Sequence, residues 1–498
     1  MHKRLFVVLL LLAAFGFAGA LDELQKNISE FTLSNGLKVI VYEDHMAPVF
    51  SAVTYADVGS VNEHVGITGL AHIFEHMAFK GTSVIGATDW EKEKAAIEKE
   101  EAAFLAFRAE RNKGPLADPG KLKALEADFQ AAKEASKALV EGNAFARIVE
   151  REGCEGLNAS TSFDQTQYYY NFPSNKVELW AYMESERFLD PALREFHTEM
   201  EVISEERRMG IESQPTGRLF EEFLGAAYLA HPYSVFVIGH MSDIQNMSRA
   251  DAMAFYRAHY IPRNLVVAVA GDVYPEKLKP VMEKYFGRLE DRPLPPAVTT
   301  VEPPQRGERR VKIKDPSQPF VIMGYHKGAF NDPDDPVFSA ITDIMGEGRT
   351  SRLYKRLVRD EKLALAAAAF TGLPGNKYPG LFIFYAVPMQ GKTNAENEAA
   401  ILDEIEKLKN EPVTAEELQR VKTRAKADLI RSMQNPTGIA VQLAFYEKVA
   451  GGWQKLFTQL ERIDKVTADD IMRVAKQYFI ESNRTVAEIE HAEEGGAQ

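Results

Sequence analysis

The sequence predicts an α+β protein made of two homologous domains, each a mixed sheet covered by helices, and three observations carry that prediction. The first is internal repetition. The stretch Ile244 to Met253, continuing to Tyr260, Ile261 and Asn264, reappears as Ile463 to Met472, continuing to Phe479, Ile480 and Asn483. At nearly the same spacing, Pro215-Thr216-Gly217 reappears as Pro436-Thr437-Gly438. The second is a proline-rich segment between the copies, Arg292 to Pro296 and Pro303 to Gly307, which reads as an extended linker. The third is the alternation of strand-like and helix-like patterns on both sides of it.

Each repeat places Ser248 or Thr467 before an amphipathic run, an N-cap opening a helix. A strand candidate follows the Asn in both copies, at 265–270 and 484–489. Residues 31–33 and 37–42 flank Asn35-Gly36, a hairpin signal. Residues 48–57, 167–172, 320–325 and 381–387 are further strand candidates. The expected organisation is a first domain at 21–291, a linker at 292–307 and a second domain at 308–498. One segment breaks the symmetry. Residues 90–147 are rich in Ala, Glu and Lys around Gly114-Pro115 and Asp118-Pro119-Gly120, which predicts a helical-hairpin insertion in the first domain. A solvated insertion without chemistry is the simpler expectation for it, and a partner-docking arm is the alternative.

The chain has 498 residues, more than one core can serve, and a formal net charge of −13. That surface excludes a nucleic-acid backbone as a natural partner. Lys3 and Arg4 precede an apolar run from Leu5 to Phe17 and the small residues Ala18-Gly19-Ala20. This is the layout of a secretory signal peptide over 1–20, short for a membrane span. An exported protein, periplasmic or secreted, is expected, without stable membrane insertion after cleavage; a retained anchor is the alternative. Cys154 is the single cysteine, so no internal disulfide forms.

The chemistry is concentrated at His72-Ile73-Phe74-Glu75-His76. On a helix, His72 and His76 lie one turn apart on one face, so both imidazoles reach one ion. Glu75 sits on the same side but displaced, placed to touch a water beside the metal. Zinc held by three protein ligands keeps a position for water, and a nearby carboxylate takes the water's proton. Thr68 offers a cap for this helix and Gly81 a stop. The acidic helix Thr198 to Gly210 is the best source of the third ligand. Glu199 and Glu206 share a face with Val202 and Ile203, an unusual place for carboxylates on a core-facing stripe. Glu206 is the better ligand candidate and Glu199 a nearby second carboxylate; a plain solvated acidic helix is the other reading.

These residues resemble the pitrilysin/insulinase family of zinc metallopeptidases. The resemblance rests on Gly69 to Thr82, Asn158 to Tyr168, Glu199 to Glu206 and Gly346 to Tyr354. It implies one Zn2+ per chain on His72, His76 and Glu206, Glu75 as catalytic base and Glu199 in support. It also implies two halves facing each other around a chamber. Asn158 and Ala159 would lie on an edge strand that binds extended peptide substrates through backbone hydrogen bonds.

The chain departs from the family twice. His76 and Glu206 are farther apart in sequence than usual, an excess that the insertion at 90–147 accounts for. Members that work alone also carry an Arg and, seven residues later, a Tyr in the second half. Here Val358 and Leu365 stand at those positions. The pattern is closest to the zinc-bearing subunit of two-subunit members, so a homologous metal-less partner supplying that pair is expected. Two functions follow: a zinc-dependent endopeptidase for short or unfolded polypeptides, or a catalytically weak scaffold subunit. A scaffold has no need of Glu75, which favours the enzyme.

Overall fold

A computed structural model describes residues 24–492; the expected signal segment at 1–20 lies outside them. Among the described residues, eleven strands form two sheets. The first contains β1 (Ile28–Thr32), β2 (Lys38–Glu43), β3 (Val49–Ala56), β4 (Glu155–Thr161), β5 (Thr166–Pro173) and β6 (Leu265–Gly271). The second contains β7 (Arg309–Asp315), β8 (Phe320–His326), β9 (Ala364–Leu373), β10 (Leu381–Pro388) and β11 (Arg484–His491). Their orders are β1-β2-β6-β3-β5-β4 and β7-β11-β8-β10-β9. Apart from β1 the two match position for position, including the parallel pairs β2–β6 and β7–β11 among antiparallel neighbours.

Local sequence explains the matching parts. Gly36, at φ 88°, turns β1 into β2, which pair with Thr32 opposite Lys38. The helices Arg249–His259 and Ala468–Tyr478 open with reciprocal capping boxes, Ser248 with Asp251 and Thr467 with Asp470. Each runs into a central strand, β6 or β11. β6 is buried along its whole length, as its apolar run from Leu265 to Ala270 requires.

The halves are not separate beads. The helix Pro215–Ala227 comes from the first half but packs on β7 and β11, burying Leu219, Phe223 and Leu224 among Ile322, Ile383 and Ile489. Its repeat, Pro436–Phe445, comes from the second half and packs on β3 and β6, burying Ile439 and Leu443 against Val53 and Ala268. The division at 292–307, an irregular stretch, therefore separates the strands and leaves each half a core of its own, while two further apolar clusters combine residues of both halves. A reading by contiguous segments cannot see this exchange, because either apolar face would fit either sheet.

The insertion forms two antiparallel helices, Trp90–Arg111 and Pro119–Lys137. It is not solvated throughout, as its composition suggests. Phe104 and Phe129 are buried with their rings against His197, the first tilted and the second edge-on, and Glu93, Glu100 and Glu110 are buried too. Among the described residues no helix is long and apolar enough to cross a membrane.

Candidate metal centre

The His72–His76 segment lies on the helix Leu70–Met77, whose Leu70, Ile73, Phe74 and Met77 are all buried. That apolar anchorage leaves the other face to the imidazoles. Thr68 is not the cap. Its hydroxyl donates to Asp243, while Glu63, buried, accepts the Gly69 and Ala71 N–H groups at 2.7 Å each. Burial pushes the Glu63 carboxyl up to about 8. The carboxylate helix, Phe196–Arg207, crosses the first and continues into a π-helical turn, Arg208–Glu212.

Between these helices His72, His76 and Glu206 converge, each offering a ligand atom, all within 4.8 Å of one another. The His72 Nε2 lies 3.8 Å from one Glu206 oxygen, and the His76 Nε2 lies 3.9 Å from the other. Those distances are too long for hydrogen bonds. They approach the ~3.4 Å that separates two ligands on a tetrahedral zinc with bonds of about 2.05 Å. Burial lowers the His72 pKa to about 4, which keeps this imidazole neutral and able to ligate. The donor set therefore fits zinc. Glu206 is half exposed and Val202 lies at the surface, while Ile203 is buried and Glu199 largely covered, so the stripe that the periodicity suggests faces the core only in part and Glu206 opens to the cleft.

Around the trio, other side chains fix orientation. The Glu199 Oε2 lies 3.2 Å from the His76 Nδ1, and its Oε1 accepts from the Lys80 Nζ at 2.5 Å. Burial alone would lower the His76 pKa, but Glu199 and the Glu75 and Glu206 charges raise it. Burial pushes the Glu199 carboxyl up, yet His76 and Lys80 hold it below its ordinary value. Glu75 is not one of the three converging groups. Its Oε2 accepts from the Thr161 hydroxyl at 2.5 Å, and burial raises its pKa despite that bond. Thr161 ends β4, the outer strand of its sheet, where Asn158 and Ala159 pair with Tyr169 and Tyr168 and leave the other edge open. Glu63, Lys80 and Thr161 were missed from sequence, because each acts through a contact that spacing does not encode.

A cleft of about 560 Å³ runs past His72, Glu75, Thr161 and Glu206 to an apolar wall of Phe220, Phe236, Val237 and Ile238. Two histidines, a carboxylate and a free glutamate beside an open strand edge can hold a metal, move a proton and dock an extended chain.

Two duplicated α+β halves with an inverted His-x-x-Glu-His helix form the architecture of an insulinase-type chain. Residues 38–109 match the family model for insulinase (peptidase family M16), and 246–425 match that for the peptidase M16 inactive domain. The chain is 30% identical over 464 residues to the zinc protease PqqE of Helicobacter pylori, covering 91% of this chain and 90% of that one. It is 24% identical over 472 residues to the mitochondrial-processing peptidase subunit beta of Lentinula edodes, covering 92% and 88% of the two chains. A crystal structure of a protease from Helicobacter pylori superimposes with a TM-score of 0.78 at 27% identity, over 93% of this chain and 99% of that one. The chain belongs to peptidase family M16.

Proposed function

We propose that this protein is a zinc-dependent endopeptidase for short or unfolded polypeptides, with one ion on His72, His76 and Glu206. One observation carries the reading: three ligand atoms from two helices meet within 4.8 Å, beside a glutamate that is not among them. Zinc, when bound, supplies a Lewis acid that polarises a carbonyl and makes water acidic. Glu75 accepts the water's proton and returns it to the leaving amine. Its burial and raised pKa suit a group that must do both. Thr161 holds the carboxylate in place, Glu199 fixes the His76 ring, and the edge at Asn158 and Ala159 binds substrate backbone independently of its sequence. The apolar run Leu5 to Phe17 supports an exported location.

Glu75→Gln tests the mechanism. Zinc should stay bound while turnover of an unstructured peptide falls about 10²- to 10⁴-fold; undiminished turnover would reject it.

A second element of the reading concerns partnership. Val358 and Leu365 stand where single-chain members carry Arg and Tyr, and one relative is named as a beta subunit. We infer that a homologous metal-less chain supplies that pair. Brisk proteolysis by a demonstrated monomer would rule this out.

A further inference from the structure

The insertion at 90–147 has no part in the chemistry above, yet it sends a buried carboxylate towards the metal-binding helices. Glu93 is fully buried and faces Arg194, itself 1% exposed. The Arg194 Nε donates to Glu93 at 2.6 Å and one terminal nitrogen donates to it at 3.3 Å. The remaining donors go to three backbone carbonyls, those of Lys80, Thr82 and Ile85, each at 2.7 Å. All five guanidinium hydrogens are thereby used.

These contacts join the two helices that carry the ligands. The carbonyls belong to the loop after Leu70–Met77, and Arg194 stands just before Phe196–Arg207. From the gripped loop, Lys80 reaches Glu199 at 2.5 Å, and Glu199 meets the His76 Nδ1 at 3.2 Å. The path runs from Glu93 through Arg194, the Lys80 backbone and side chain, and Glu199 to a metal-facing imidazole. A guanidinium buried this deeply needs a paired charge, and among the described residues the insertion provides it through Glu93. Arg249 repeats the arrangement nearby, donating to the Leu193 carbonyl and to Glu100 and Glu101 of the same inserted helix.

We propose that Glu93, acting through Arg194, is a positioning residue for His76, and that the insertion braces the metal centre. The inference rests on the zinc site proposed above. In chains without such an insertion this brace would be missing.

The test uses the full chain and measures the zinc dissociation constant by chelator competition, well below the unfolding temperature. The absorption of the cobalt-substituted protein reports ligand geometry. Glu93→Gln should weaken zinc binding about tenfold or more and alter the cobalt spectrum. Glu110→Gln is the structural control. It is little exposed, in the same helix, but bonds to Lys113, Lys121 and the Asp118 amide, all within the hairpin. It should lower thermal stability and leave zinc affinity within about twofold, since it makes no bond outside the hairpin. Should Glu93→Gln not fold, Arg194→Lys keeps the charge but loses the fork, and should show the same weakening. Zinc affinity within about twofold of the parent in Glu93→Gln, or in Arg194→Lys if the former is unfolded, would overturn the brace. His76→Ala separates the two levels: if it binds zinc as tightly as the parent, the metal site itself is misassigned.

Discussion

Glu199 touches His76 on the ring nitrogen that faces away from Glu206, at 3.2 Å from Nδ1, while Lys80 holds its other oxygen at 2.5 Å. Accepting the Nδ1 hydrogen leaves Nε2 bare and aimed at the metal position, so one carboxylate sets both tautomer and ring angle. Glu199→Gln should weaken zinc binding about 10- to 100-fold with the fold retained. Chelator competition checks this, and unchanged affinity would remove Glu199 from the account.

The hydroxyl of Thr161 hydrogen-bonds the Glu75 carboxylate from outside the motif helix. Thr161→Val keeps the shape and deletes the donor. We expect kcat to fall about tenfold, with KM and zinc content little changed, because the base is displaced rather than removed. Steady-state kinetics on an unstructured peptide would show it; an equal kcat would mean that Glu75 needs no such restraint.

His259 gives a stability prediction remote from the metal. Burial lowers its pKa from an ordinary 6.5 to about 4, and its Nδ1 has no hydrogen-bond partner among the described residues. The unfolded chain binds a proton more readily than the folded one between those values. Stability from this site is therefore complete above pH 6.5 and lost as pH falls towards 4. Between pH 7 and pH 5 the loss is about 2 kcal/mol. Urea midpoints across that range should be less pH-sensitive in His259→Gln than in the parent, and identical slopes would contradict the assignment.

Leu365 is exposed on β9 and Val358 lies in the π-helical segment before it, Tyr354–Asp360. Installing Val358→Arg together with Leu365→Tyr should raise kcat/KM of the isolated chain about tenfold, by supplying the missing substrate contacts. No gain would weaken the case for a complementing subunit.

Much of this was legible in the sequence because it is written in local rules. The motif helix follows from His72 and His76 one turn apart over an apolar face, and the doubled architecture from Ile244 and Ile463 opening equivalent segments. What was not legible depends on charges paired across long separations. Glu93 and Glu100 look like a solvated helix until Arg194 and Arg249 are known to lie opposite. Glu63 caps a helix that begins seven residues after it, so no capping pattern marks it. Leu219 and Ile439 lie on apolar helix faces, but nothing local says that each sits under the other half's sheet.

Zinc stoichiometry tests the central claim most directly. Metal analysis of the dialysed protein should find one zinc per chain, and close to none in His72→Ala, His76→Ala and Glu206→Ala variants that remain folded. A parent chain that holds no zinc when offered it, or a folded Glu206→Ala variant that keeps a full equivalent with undiminished affinity, would contradict the account.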